Sequence, residues 1–202
     1  HLIASIYRKL EDYENAADYY QRALTINRSL KKPVKMSSTL RGLGDVYSRQ
    51  DDYINAIKYY EEALLLARQS KDSIGLASIN HSLSILYSKQ GAYKKAINYE
   101  NNALELNELS GTTNMYLALA IHRSQLYSKI GNYDKAYQDL MKSAEISQEI
   151  DSKENTAKCW HAMGNLEGQK GNYADALNLI VKAADLYEEL DILTSHANCW
   201  FD

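Results

Sequence analysis

Lys9, Arg49, Lys89 and Lys129 stand forty residues apart along the chain. Cations at a fixed spacing, with the amides of Gln125, Asn165 and Gln169 nearby in the sequence, have the chemistry to hold an acidic segment or a terminal carboxylate. A plainer account of any single member is a solvated cation near a helix C-terminus, where the helix dipole favours positive charge. Arg41, His81 and His161 share a second phase of the same spacing, interrupted by Ile121. A row of histidines can sense pH or ligate a metal. Neighbouring copies of a helical unit stand roughly 10 Å or more apart, further than the ligands of one ion can bridge, so these positions read as polar surface. Cys159 and Cys199 are also forty residues apart, beside Trp160 and Trp200. That separation exceeds the roughly 4.4–6.8 Å between Cα atoms of a disulfide. A zinc site of Cys159, His161, His196 and Cys199 can be drawn, but its spacing fits no zinc pattern. Small buried thiols are the simpler account.

Other chemistry finds no foothold. The 202 residues contain no glycine-rich phosphate loop, no HExxH and no GxSxG, so catalysis is not expected and no cofactor or metal is called for. Paired acids such as Glu61–Glu62 and Glu188–Glu189 read as solvated helix surface. A net charge of −3 supplies no global field to recruit nucleic acid or anionic lipid. No apolar run approaches the roughly 18 residues of a membrane span. Two cysteines fix no compartment; the location is left open, leaning cytoplasmic.

The spacing comes from an internal repeat. "VYSRQDDYINAIKYYEEAL", "LYSKQGAYKKAINYENNAL" and "LYSKIGNYDKAYQDLMKSA" succeed one another every forty residues. Tyr13, Tyr53, Tyr93, Tyr133 and Tyr173 recur in phase, followed by Ala16, Ala56, Ala96, Ala136 and Ala176. Tyr7, Tyr47, Tyr87 and Tyr127 form another ladder, broken by Glu167. A further phase holds only small residues: Ala4, Gly44, Ser84, Ser124 and Gly164. Each unit reads as two helices. From Val34 to Gln50 the apolar positions Met36, Leu40, Leu43, Val46 and Tyr47 make one amphipathic stripe. A break at Asp51–Tyr53, written "GAY" or "GNY" later, places a glycine stop between the helices. The second helix runs from Ile54 to about Gln69, and the polar "SKDS" supplies a cap for the next helix. Pro33 suits a first turn. The small residues predict close helix crossings, and the tyrosines are expected to pack between neighbouring repeats with their hydroxyls at the wet edge. One hairpin cannot bury its apolar face alone, so the units must stack. The fold class is all-α, an α-solenoid of stacked antiparallel helix pairs. The units are residues 1–32 (partial), 33–72, 73–112, 113–152 and 153–192, with the start of a sixth at 193–202.

Leu40–Leu43–Gly44–Tyr47, then Ala56–Tyr60–Ala63, resemble the signature of the tetratricopeptide repeat, and the fifth unit reads Trp160–Met163–Gly164. The likeness covers essentially the whole chain. The period is 40 rather than 34, and the six additional residues are expected in longer helices and a slightly longer turn between repeats. In style the chain is similar to the tetratricopeptide regions of bacterial regulators and sensors. The resemblance implies a right-handed superhelix whose first helices line a concave groove that binds a protein or peptide segment. On those helices the polar side carries His1, Arg8 and Lys9, then Arg41, Asp45 and Arg49. It continues with Ser78, His81 and Lys89; His122, Gln125 and Lys129; and Lys158, His161, Asn165 and Gln169. Chaperone-binding relatives clamp two carboxylates with Lys and Asn on successive first helices. Only Lys158 and Asn165 look similar here, and both lie in one unit.

His1 falls partway along a first helix, and "HANCWFD" echoes "TAKCWHA" forty residues earlier. The expectation is a fragment of a longer protein, a non-catalytic module acting as its sensor or scaffold. The partner is a protein segment, an acidic one if the basic ladder faces it. The rival expectation is a structural repeat that dimerises through its ends or packs on a neighbouring domain.

Overall fold

A computed structural model of the chain describes residues 1–110 and 112–190. The described residues form ten helices and no strand. They are α1 (Leu2–Lys9), α2 (Tyr13–Ser29), α3 (Pro33–Arg49), α4 (Tyr53–Gln69), α5 (Ser73–Lys89), α6 (Tyr93–Ser110), α7 (Thr113–Lys129), α8 (Tyr133–Glu149), α9 (Lys153–Lys170) and α10 (Tyr173–Glu189). The chain divides into two compact units, His1–Gly111 and Thr112–Asp202. Within the first, each helix packs on the next, and α3 also touches α5. Within the second, α7–α8, α8–α9 and α9–α10 pack in the same way, with α7 touching α9. The fold is an all-α helical repeat. The proposed sixth unit and Cys199, His196 and Trp200 lie outside the described residues.

The forty-residue period is twice twenty. A backbone with positive φ recurs at Glu11, Lys31, Asp51 and Lys71 (φ 60°, 50°, 59° and 53°) and at Gly91 (72°). In the second unit it recurs at Gly131, Asp151 and Gly171 (75°, 52° and 86°). Each is the middle residue of a three-residue turn, except Gly171, which opens a two-residue one. The amide after it donates back to a carbonyl five residues earlier, as Asp52 does to Tyr47 at 2.9 Å and Asp72 to Ala67 at 3.0 Å. This is a Schellman closure. The donor residue then begins the next helix. The side chains of Asp12, Asp52 and Asp72 accept from the amides of Asn15, Asn55 and Gly75 at 3.2, 3.1 and 2.9 Å. One aspartate thus closes one helix and caps the next. Because turns within and between repeats are equally short, the longer inter-repeat turn expected from sequence is absent among the described residues. The extra length lies in the helices, mostly seventeen residues each.

The small-residue phases sit where helices cross. Ala16, Ala56, Ala96 and Ala136 are wholly buried. A Cβ on Gly44 would lie 2.5 Å from the ring of Tyr60, and one on Gly164 would lie 2.6 Å from Ile180. At the same phase the Ser84 hydroxyl donates to the Ala96 carbonyl at 2.9 Å. The tyrosine ladder behaves differently from expectation. Tyr7, Tyr47 and Tyr87 stack on Tyr19, Tyr59 and Tyr99 at centroid distances of 5.4, 5.3 and 5.4 Å. Both rings of each pair belong to one hairpin, not to neighbouring repeats. A ring that does wedge between repeats is that of Tyr20, against Gly42 of α3. In the second unit the core gathers Ala136, Leu140, Cys159, Met163 and Leu166.

Ala96 tests this packing. Ala96→Leu overfills the crossing of α5 and α6 and is expected to cost about 1–3 kcal/mol, read as a lower denaturant midpoint. An unchanged midpoint would contradict the close approach.

Candidate functional site

Three of the first helices of the pairs bring cations to one cleft of the first unit. Arg8 comes from α1, Arg41, Asp45 and Arg49 from α3, and His81 and Lys89 from α5. Ser48, Ser82, Ile85 and the hydroxyl end of Tyr60, from α4, complete a recess of about 270 Å³. The seventeen-residue helices explain the gathering, since residues four apart share a helix face. Arg41, Asp45 and Arg49 rise from one side of α3, and His81, Ile85 and Lys89 from the same phase of α5.

Asp45 organises this cleft. Its Oδ1 accepts from the Tyr60 hydroxyl at 2.8 Å. Its Oδ2 lies 3.2 Å from Arg41 Nη1 and 4.0 Å from Arg8 Nη1. Tyr60 is itself almost wholly buried. Burial first, then the Asp45 carboxylate, push its phenol well above the ordinary tyrosine range. Lys89 Nζ donates to the Ser48 carbonyl at 3.1 Å and stands 3.9 Å from Asp51. His81 Nδ1 lies 2.9 and 3.2 Å from the two oxygens of Glu100, whose side chain is fully buried. The cleft therefore holds Arg8, Arg41, Arg49 and Lys89 against a single lining carboxylate.

The second unit has a different cleft, about 240 Å³, lined by Gln125, Lys129, Asn165 and Gln169 with Ser124 and Ser128. Its floor is Leu140 and Leu166. It is an amide and hydroxyl surface with one cation. The Ser128 hydroxyl bonds the Gln169 carbonyl oxygen. Arg123 of α7 is held by Asp139 of α8 through bonds of 2.8 and 2.6 Å and is not among the lining residues.

Of the thirteen site residues expected on α3, α5, α7 and α9, nine thus line one cleft or the other. Four do not. Ser78 bonds its own helix at the Ile74 carbonyl, 2.9 Å away. Lys158 pairs with Glu154 one turn back, so the partial clamp of Lys158 and Asn165 does not converge on one recess. His161 Nε2 sits 3.5 Å from Asn165, and His122 is half-buried on α7. Cys159 is buried, and burial raises its thiol pKa to about 11, which fits the inert thiol expected. Sequence reasoning missed Tyr60 and Glu100 as polar partners. Both occupy one phase, Tyr20, Tyr60, Glu100, Leu140 and Ile180. A carboxylate among bulky side chains was the available signal.

Models of the tetratricopeptide repeat match residues 35–108 and 115–189, and a second such model matches residues 1–30. The chain belongs to the tetratricopeptide repeat family. Among solved structures it is similar to the Signal Transduction ATPase with Numerous Domains protein of Pyrococcus horikoshii, which carries a tetratricopeptide repeat sensor. There the TM-score is 0.87 at 15% identity, over 98% of this chain and 30% of that one. A putative kinesin light chain of Podosopora anserina with nearly identical TPR-like repeats gives a TM-score of 0.76 at 14% identity, over 95% and 94% of the two chains. A Rap protein complexed with competence and sporulation factor gives 0.74 at 18% identity, over 98% of this chain and 60% of that one. A search of curated protein sequences gives no match. At these identities the tetratricopeptide likeness establishes fold, and these repeats serve generally as interaction modules.

Tyr60→Phe removes the hydroxyl and leaves the ring. The lost charge-assisted bond to Asp45 is expected to cost about 1.5–3 kcal/mol, measured by chemical denaturation. In the wild type the raised phenol contributes stability that is complete below the ordinary tyrosine pKa and declines as pH rises through its folded value. The phenylalanine variant should therefore show less loss of stability on going to alkaline pH.

Proposed function

We propose that this chain is a non-catalytic interaction module whose groove binds a partner segment, acidic where it meets the first unit, as the sensor or scaffold part of a larger regulatory protein. The observation that carries the reading is the cleft of Arg8, Arg41, Arg49 and Lys89 in a chain whose net charge is −3. Cations gathered in one recess repel one another, and an incoming carboxylate relieves that repulsion. Arg49 and Lys89 are exposed and reachable. The amide cleft of the second unit suits main-chain or neutral side-chain contacts. Two structural neighbours lend support: one carries its repeats as a sensor, and the other is a complex with a factor.

Affinity spread over several modest contacts has a direct consequence. The triple variant Arg49→Glu, Lys89→Glu, Lys129→Glu is expected to lose a partner captured on the immobilised wild-type chain, with its melting curve unchanged. Capture that survives all three reversals removes the groove from the account.

A second reading rests on a separate observation. Ile3 and Ile6 are 52% and 50% exposed, whereas their phase mates Leu43, Val46, Leu83 and Leu86 are buried at 1%, 0%, 2% and 0%. In those repeats the preceding helix pair covers the position. The α1 face is thus shaped for another helix, from a second copy or a neighbouring domain. Sedimentation velocity across a concentration series should show a dimer that Ile3→Asp with Ile6→Asp dissociates. A monomer at all concentrations removes the homodimer.

A further inference from the structure

We propose that the first unit's cleft receives a phosphorylated side chain, a phosphoserine or phosphothreonine carried by the partner segment. The proposal rests on the groove reading above and narrows it. The argument is first one of charge. Arg8, Arg41, Arg49 and Lys89 line the recess with one carboxylate, Asp45, and Asp51 stands 3.9 Å from Lys89. One aspartate or glutamate from a partner leaves part of the remaining positive charge uncompensated, whereas a phosphate monoester brings roughly −1.5 to −2 charges and three acceptor oxygens.

The donors also have the right form. Three are guanidinium forks, which match the oxygens of phosphate in pairs. Arg41 is bonded to Asp45 at 3.2 Å, and Arg8 is held more loosely. Arg8 reaches Asp45 only at 4.0 Å, and its Nε is buried with no acceptor among the described residues. Arg123 of the second unit is the contrast, with two short bonds to Asp139. Asp45 is held by Tyr60 and Arg41, so it positions the arginines instead of competing freely for them. The recess of about 270 Å³ is smaller than the roughly 300–1,000 Å³ of drug-sized ligand sites and has room for one side chain. It offers no tyrosine face to stack a nucleic-acid base, since Tyr60 is 1% exposed.

The test uses the full chain, immobilised, and degenerate peptide libraries that differ only at a central phosphoserine, serine or glutamate. The phosphoserine library should be retained about tenfold more than the others, the scale that charge-assisted bonds to a dianion confer. Arg8→Gln and Arg49→Gln should erase the preference, while Lys182→Gln on α10 leaves it intact. Asp45→Asn removes the internal carboxylate and keeps an acceptor for Tyr60, so it should raise phosphoserine retention several-fold, a gain that misfolding cannot mimic. Equal retention of the three libraries overturns the proposal, as does a preference that survives Arg8→Gln and Arg49→Gln. Tighter retention of single-stranded polyuridylate than of the phosphoserine library reassigns the cleft to nucleic acid. If the libraries are not distinguished while the triple charge reversal still releases a captured partner, the groove reading stands and only the phosphate reading falls.

Discussion

The distance between the two helices of a pair sets everything else in this molecule. Residues with almost no side chain make that distance short. At Gly44 the ring of Tyr60 occupies the space a Cβ would need, and at Gly164 Ile180 does the same. At Ser84 a hydroxyl reaches across to the Ala96 carbonyl. Alanine at the facing position of the second helix is wholly buried in four of the five units. Contacts this close leave little freedom to slide, since interiors pack at crystal-like density. The register of each pair is therefore fixed, and polar residues at one phase of the first helices emerge at one height in successive pairs. Two rungs of the cation ladder, Arg49 of α3 and Lys89 of α5, share one cleft in this way.

Within that frame the second helices do more than pack. Each of three first-helix polar residues takes its orientation from a residue on the second helix of its own pair. Asp45 is set by Tyr60, His81 by Glu100 and Arg123 by Asp139. A buried carboxylate such as Glu100 is tolerable only when hydrogen-bonded, and the histidine 2.9 Å away supplies one such bond. The consequence is that groove chemistry is decided at two positions per repeat, one facing the cleft and one behind it. Where the rear residue is Tyr60, Asp45 stands organised in front of it. Where it is Leu140, the neighbouring cleft is paved with amides and hydroxyls.

The architecture was legible because it is written five times. Periodic apolar stripes, small residues in phase and glycine stops at Gly91, Gly131 and Gly171 led directly to the helix pairs. The turns were less legible. Glu11, Lys31 and Lys71 adopt the same left-handed backbone as the glycines, at a cost of roughly 1–2 kcal/mol for a side-chain-bearing residue, and nothing in their identity announces it. Their position does: the Schellman closure determines the conformation whatever residue sits there, with an aspartate cap following Glu11 and Lys71. The tyrosine stacks were misplaced for a related reason. Periodicity tells which residues share a phase, but not which of two neighbouring helices a long ring leans toward. Site residues followed the same rule. Arg41, Asp45, Arg49 and Lys89 were found from phase alone. Tyr60 and Glu100 hid in a phase that reads as core.

The two clefts show how one scaffold carries different chemistry without altering its fold. In the first unit the lining is cationic; in the second a single lysine stands among amides. Electrostatic reach decides how the first is felt. At physiological salt, charges are screened beyond about 8 Å, so the chain's overall −3 contributes little inside a recess whose cations lie a few ångströms from any occupant. Under the proposed reading recognition there is local: a partner need not be acidic along its length, only at the group that enters. Arg8 and Arg41 are partly withdrawn from water, with side-chain exposures of 24% and 31%, and partly buried pairs are screened less than exposed ones. Under the proposed reading the cleft discriminates by what enters it, with Arg8 and Arg41 partly withdrawn from water and Arg49 and Lys89 exposed where the entering group first meets it.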